Sequence, residues 1–304
     1  MIDLSVTIAG IKMQNPVMVA SGTFGYGEEY SSMFDVGSLG ALVTKGLTLK
    51  PWQGNKPPRI CETPAGLLNA IGLQNPGVDA FIHEILPGMK GYGVPVIANI
   101  AGFTKEEFVE IAERLTGTGV DGLEMNISCP NVKAGGMALG TVPELAAEVV
   151  EAVVKATSLP VIVKLTPNVT DIIALARAVT NAGAHALSLI NTLLGMAIDV
   201  KAKKPVLGNI TGGLSGPAIR PVAVRAVWQV SQAVDVPIIG MGGICRGDDA
   251  LEFIMAGATA VAVGSAHFHD PLAAVKIISA LRRYCEENEI NDWRELIGAA
   301  WKNK

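Results

Sequence analysis

Short apolar runs alternate along this chain with longer stretches whose apolar residues recur at helical spacing. The runs that predict strands are Pro16–Ala20, Ala41–Lys45, Val94–Asn99, Gly122–Asn126, Val161–Leu165, Ala186–Ile190, Pro237–Met241 and Ala260–Gly264. The spacing predicts helices over Thr104–Gly117, Val142–Thr157, Thr170–Ala182, Pro217–Val234, Asp248–Ala256 and Pro271–Glu287. Thr104 ahead of Lys-Glu-Glu reads as an N-cap, and Asp270-Pro271 as a cap followed by proline at the first helical position. The apolar runs are short and regularly punctuated, as for strands buried on both faces. Their alternation with helices is that of a parallel α/β fold.

An internal echo favours a closed barrel over an open sheet. V-P-V-I at 94–97, L-P-V-I at 159–162 and V-P-I-I at 236–239 introduce the third, fifth and seventh strands. Small-residue stretches introduce the second, fourth, sixth and eighth: 37–45, 117–126, 182–190 and 256–264. A two-strand unit repeated along eight strands closes naturally into a (β/α)8 barrel. One such domain, typically about 250 residues, would use nearly all of residues 1–304. Leu4–Gln14 reads as a small hairpin able to cover the closed end of the barrel. Leu49–Gly77 is long, rich in Pro and Gly, and free of helix before Val78. It follows the second strand, and a loop of that length above the strand ends is usually functional.

Composition narrows the class. The mean hydropathy is positive at +0.38, yet no apolar run approaches the roughly 20 residues of a spanning helix. The amino-terminal MIDLSVTIAG lacks the basic and apolar regions of a signal peptide. A net charge of −4 and no Lys/Arg run argue against nucleic acid. Cys61, Cys129, Cys245 and Cys285 are too widely spaced for a disulfide framework or for a zinc or iron–sulfur site within the chain. A reducing, cytoplasmic location is expected.

The candidate chemistry gathers at the predicted carboxyl ends of the strands. Gly240-Met241-Gly242-Gly243, Gly264-Ser265 and Gly212-Gly213-Leu214-Ser215-Gly216 place three glycine clusters at the corner where barrels commonly hold a phosphate on backbone N–H groups. Lys45, Asn99, Asn126 and Lys164 end or nearly end their strands, and Asn191 and Thr192 follow the sixth. The bland alternative for each is a solvated strand end. Cys129 sits in Asn126-Ile127-Ser128-Cys129-Pro130-Asn131 after strand four. A lone cysteine is more often an inert small hydrophobe, but polar loop neighbours suit a reactive one. The other cysteines and the four histidines, including His267-Phe268-His269, read as structural. Lys164 also leaves open an aldolase-like Schiff base, a different class of enzyme.

Three segments carry a resemblance: Asn69-Ala70-Ile71-Gly72-Leu73-Gln74-Asn75-Pro76-Gly77, Asn126-Ile127-Ser128-Cys129-Pro130-Asn131 and Asn191-Thr192-Leu193-Leu194-Gly195-Met196. With them the sequence resembles class 1 dihydroorotate dehydrogenase from about Leu4 to the final helix. The resemblance implies an FMN across the barrel mouth. Ser21, Lys45, Gly46, Asn99, Asn126, Lys164 and Ile190 would meet its ring and ribityl parts, and Gly216, Gly242, Gly243, Gly264 and Ser265 its phosphate. Lys45, Asn69, Ala70, Ile71, Gly72, Leu73, Asn126, Asn191 and Thr192 would contact dihydroorotate. Cys129 matches the family's base, where the membrane-associated class carries serine and an amino-terminal extension. Lys164 would set positive charge beside the reduced flavin.

Ala70-Ile71 and Gly195-Met196 look more like the B subtype, whose electrons leave to NAD through a partner subunit carrying FAD and [2Fe–2S]. That implies a homodimer core within a heterotetramer. The fumarate-dependent A subtype is the alternative. Leu139 stands where the family pattern has Phe, which bears on loop packing and not on the base. A free thiol titrates near ~8.5, so the flavin-reduction step is expected to accelerate with rising pH as Cys129 ionises. Stopped-flow measurement across pH tests this, and a flat profile counts against a thiol base.

Overall fold

Eight strands lie close to their predicted positions: Val17–Val19, Leu42–Val43, Val96–Ile100, Gly122–Asn126, Val161–Lys164, Ala186–Leu189, Ile238–Met241 and Ala260–Val263. The computed structural model describes residues 2–127 and 136–302, the backbone alone at 136–138. From the second strand onward each pairs in parallel with the next, and the eighth pairs with the first. The ring closes where Met18 bridges Ala41 just ahead of the second strand. Apart from Asn126 at the rim, every residue in these strands is buried, because side chains fill the barrel on one face and meet helices on the other. That double burial explains the continuous apolar runs.

The helices pack around this ring. Lys105–Leu115 is capped by Thr104, whose Oγ1 accepts from Glu107 N at 3.2 Å. Ile172–Asn181 is capped by Asp171, whose Oδ1 accepts from Ile173 N and Ala174 N at 2.9 and 3.0 Å. Each cap satisfies amides that the helix's own carbonyls cannot reach. The last long helix differs from expectation. Its regular turns run Ala273–Glu287, because Asp270 accepts from Leu272 N through its side chain and from Ala273 N through its carbonyl, closing a separate turn. Among the described residues no helix is long and apolar enough to cross a membrane.

The amino-terminal hairpin forms as predicted, Val6–Ile8 against Ile11–Met13. Its alternating burial turns Val6, Ile8, Ile11 and Met13 inward. A methyl at Gly122, the amino end of the fourth strand, would come within 2.7 Å of Ile11 Cδ1. The hairpin therefore plugs the amino-terminal end of the barrel and leaves the opposite rim open.

Leu49–Gly77 is more ordered than a loop. It contributes the hairpin Ile60–Thr63 and Gly66–Asn69, which joins Gly212–Ser215 and Leu193–Gly195 in a four-stranded antiparallel sheet. Leu68, Ala70 and Leu207 form a small apolar cluster of this sheet, separate from the main core. Asn75 pins the end of the segment. Its Oδ1 accepts from Thr48 N and Gly77 N at 3.1 and 2.8 Å, and its Nδ2 donates to Leu73 O at 2.7 Å.

Gly240 belongs to this packing and not to a ligand corner: a methyl there would lie 2.6 Å from Phe253 Cδ1 and 3.1 Å from Ala258 Cβ. Gly240→Ala is expected to cost about 1–3 kcal/mol by overpacking. It should appear in urea unfolding as a lower midpoint at unchanged slope.

Candidate active site

Two of the depressions at the open rim adjoin each other. The larger of these two, about 240 Å³, is lined by Ser21, Lys45, Gly46, Asn69, Ile71, Gly72, Leu73, Asn126, Asn191 and Thr192 among others. The smaller, about 90 Å³, is lined by Lys164, Ile190, Gly216, Gly242, Gly243, Gly264 and Ser265. Both share Ser21, Thr23, Asn191, Thr192 and Ser215, so they form one cleft with a glycine-lined corner. The barrel brings these side chains together because parallel closure puts every carboxyl strand end on one rim.

Two predicted residues do not line the cleft. Ala70 is fully buried in the small cluster with Leu68 and Leu207, and its N–H donates to Arg59 O at 2.7 Å. Strand alternation along Gly66–Asn69 sends its neighbours Asn69 and Ile71 toward the cleft instead. Asn99 is also fully buried, behind Gly46. Of the third glycine cluster, Gly216 reaches the corner, whereas Gly212 and Gly213 pack in the antiparallel sheet. Methyl groups there would strike Asn69 O at 2.6 Å and Thr192 Oγ1. Ser128, Cys129, Pro130 and Asn131 lie outside the described residues. The fourth strand ends at Asn126 on the rim, three residues before Cys129.

The corner is built from main chain. Gly243 adopts φ +78°, a region disfavoured for other residues. A methyl on it would come 2.7 Å from Gly216 O. Two loops therefore approach so closely that no side chain fits on Gly243 between Gly216 O and Arg220. Gly264 leads into the turn Ser265–Phe268, and its carbonyl lies 3.1 Å from His267 Nδ1. His267 is buried edge-on to Phe24 and Tyr30, with ring centroids 5.1 and 5.6 Å away. Burial pushes its pKa below the ordinary imidazole value, only partly opposed by the bond to Gly264. It serves as a prop for the corner, in keeping with a structural histidine.

Polar groups line the larger depression. Lys45 is partly buried, and desolvation lowers its pKa, helped by repulsion from Arg59 and opposed by Glu29. Asn191 Nδ2 donates to Asn126 Oδ1 at 3.4 Å, and Asn191 Oδ1 accepts from Thr192 N at 2.8 Å. Asn168 holds the same loop through Thr192 O at 3.0 Å and Leu194 N at 2.9 Å. Lys164, nearly buried, lies with its Nζ 3.8 Å from Glu124 Oε2.

Glu124 was not anticipated, although an acid two residues before Asn126 in an apolar strand was a usable signal. Ser215, Leu67, Ile60 and Phe268 also line the cleft. The first three come from the antiparallel sheet, whose cross-strand pairing no local pattern announces. Cys245, read as inert from the sequence, lines the glycine corner, and burial raises its pKa, keeping it a thiol. Among the described residues no group of three or more His, Cys, Asp and Glu side chains could hold a metal ion.

Comparison with known proteins places this chain in a family. The family profile of dihydroorotate dehydrogenase matches residues 3–284. The chain is 61% identical over 298 residues to the dihydroorotate dehydrogenase B (NAD(+)) catalytic subunit of Geotalea daltonii, with 98% of each chain covered. It is 59% identical over 300 residues to the protein of the same name from Desulforudis audaxviator, again with 98% of each covered. The corresponding subunit of Alkaliphilus metalliredigens is 54% identical over 298 residues, 98% of this chain and 99% of that one. The chain belongs to the dihydroorotate dehydrogenase family and is an oxidoreductase of that family.

Proposed function

We propose that this chain is the FMN-bearing catalytic subunit of an NAD-linked enzyme that oxidises (S)-dihydroorotate to orotate in de novo pyrimidine synthesis. The observation that carries the reading is the continuity of a lysine- and amide-lined cleft with a backbone-lined anion corner. Their linings offer the chemistry for a ring system and a terminal phosphate. Two details suit FMN in particular. The approach of Gly243 to Gly216 leaves backbone facing a phosphate, and Asn99 Oδ1 is a buried acceptor with no partner behind the cleft floor.

In this reading Gly216, Gly242, Gly243, Gly264 and Ser265 hold the phosphate. Ser21, Lys45, Gly46, Asn126, Lys164 and Ile190 hold the ring and ribityl parts, and Asn99 acts from beneath the cleft floor, where its Oδ1 lies against Gly46. FMN, when bound, supplies the two-electron acceptor. The remaining chemistry belongs to the chain. Lys45 pairs with the substrate carboxylate. Asn69, Asn126, Asn191 and Thr192 offer both donors and acceptors to the ring amides. Ile71, Gly72 and Leu73 close over the substrate and exclude water. Cys129 Sγ takes the proton from one of the two ring carbons that become unsaturated. Lys164 keeps positive charge where negative charge accumulates.

Electrons continue to NAD through a partner subunit carrying FAD and [2Fe–2S], with a homodimer of this chain at the centre of a cytoplasmic heterotetramer. The relatives' shared name, a catalytic subunit linked to NAD(+), supports the B subtype over the fumarate-dependent one. Family membership argues against the aldolase-like use of Lys164. Exposed Met196, Ile198 and Val200 supply an apolar ridge suited to association.

Anaerobic addition of dihydroorotate to the FMN-loaded chain is expected to bleach the oxidised-flavin band. A yellow protein that does not bleach would sink the substrate assignment. Gly243→Ala is expected to weaken FMN binding about tenfold or more, since it forces the corner loops apart and strains the turn. Titration of the apo-chain by flavin fluorescence measures this, with riboflavin affinity much less affected because it lacks the phosphate.

A further inference from the structure

Glu124 is 2% exposed, in a strand that is otherwise apolar up to Asn126. Its Oε2 accepts from Asn99 Nδ2 at 2.5 Å and its Oε1 from Ser188 Oγ at 2.8 Å, while Lys164 Nζ stands 3.8 Å from Oε2. Ser188 is on the sixth strand and Glu124 on the fourth, with the fifth between them. A side chain can span that gap only through the barrel interior, so the carboxylate sits on the axis just beneath the cleft. Its two oxygens accept two hydrogen bonds and face the Lys164 ammonium, with no acceptor hydrogen-bonded to them among the described residues.

That environment decides which way the Asn99 amide faces. An amide oxygen turned toward Glu124 would set acceptor against acceptor, so the nitrogen must take that side. Oδ1 is then directed away from the carboxylate, buried and without a hydrogen-bond partner. A methyl on Gly46 would approach it to 3.0 Å and Leu73 Cδ2 to 3.1 Å, and both residues line the cleft. An unsatisfied buried acceptor is costly unless a ligand supplies its donor.

We infer that Glu124 is a positioning residue: it turns Asn99 so that an acceptor, not a donor, is presented to the flavin ring, and it offsets the charge of Lys164 beneath that ring. The inference rests on the FMN reading above and concerns a residue that lines neither depression. The oxidised flavin ring offers one N–H and two carbonyl oxygens, so the orientation of a single amide separates a matched contact from acceptor facing acceptor or donor lost.

The test is FMN titration of apo-chain for the wild type, Glu124→Gln, Asn99→Ala and the double variant, with the midpoint potential of the bound flavin as a second readout. Glutamine can both donate and accept, so it frees Asn99 to turn. Glu124→Gln is expected to lose about two- to tenfold in FMN affinity, the worth of one hydrogen bond. In the Asn99→Ala background that loss should vanish. The potential should move positive, because Lys164 then acts on the flavin without its counter-charge. Equal losses in both backgrounds, or no change in either affinity or potential, would overturn the inference while leaving the FMN reading intact. A wild-type chain that takes up no FMN would overturn both. If Glu124→Gln does not fold, Ser188→Ala loosens the carboxylate without uncharging it. A roughly twofold loss confined to the chain retaining Asn99 supports the inference, and a loss independent of Asn99 overturns it.

Discussion

Closing eight short parallel strands into a ring is the constraint on which everything else in this molecule depends. Parallel pairing from Val17–Val19 round to Leu42–Val43, sealed by Met18 against Ala41, sends every carboxyl strand end to the same rim. The other end is stoppered by the amino-terminal hairpin, with Ile11 seated under Gly122. Residues as distant in sequence as Ser21, Lys45, Lys164 and Ser265 then line one cleft without any of them lying near another along the chain. The barrel does the positioning, and the loops are free to carry chemistry.

A buried carboxylate and a nearly buried ammonium are an expensive way to fill the top of a barrel. Taking two charges out of water costs more than their attraction commonly returns, and well-packed apolar residues of the same size are often as stable. Here Glu124 is bonded to Asn99 and Ser188 and stands 3.8 Å from Lys164, so four strands meet at one polar point. The only orphan in that group is Asn99 Oδ1. A core designed for stability alone would not leave an acceptor unpaired, whereas a site completed by a ligand would. Charge at that depth is coherent with redox chemistry, in which negative charge has to be accommodated just above it.

All eight barrel strands and six of the helices around them were legible, because burial on two faces leaves an unbroken apolar run and burial on one face leaves helical spacing; the helical run from Val78 to Lys90 was not. Boundaries shifted where local hydrogen bonds competed, as at Asp270, which closes its own turn before the helix begins. Lys45, Asn126 and Lys164 were legible for the same reason, each a polar residue at the end of an apolar run, whereas Asn99 turned into the barrel toward Glu124. Ala70 was misplaced because its neighbours face the cleft and strand alternation turns it away. The antiparallel sheet over the rim was not legible, since Ile60–Thr63 and Leu193–Gly195 show no alternation strong enough to stand apart from loop composition.

By itself, then, the sequence determined the barrel, the rim lysines and asparagines, the glycine corner and the family, because each rests on residues close together or on a repeating local period. Only the tertiary structure decided that Gly240 packs against Phe253 while Gly243 meets Gly216, and that Leu67 and Ser215 share a cleft. It also decided that Glu124 reaches across the barrel axis to Ser188. Those are contacts between segments tens of residues apart, set by ring closure and cross-strand register. No local pattern of apolar and polar positions encodes them.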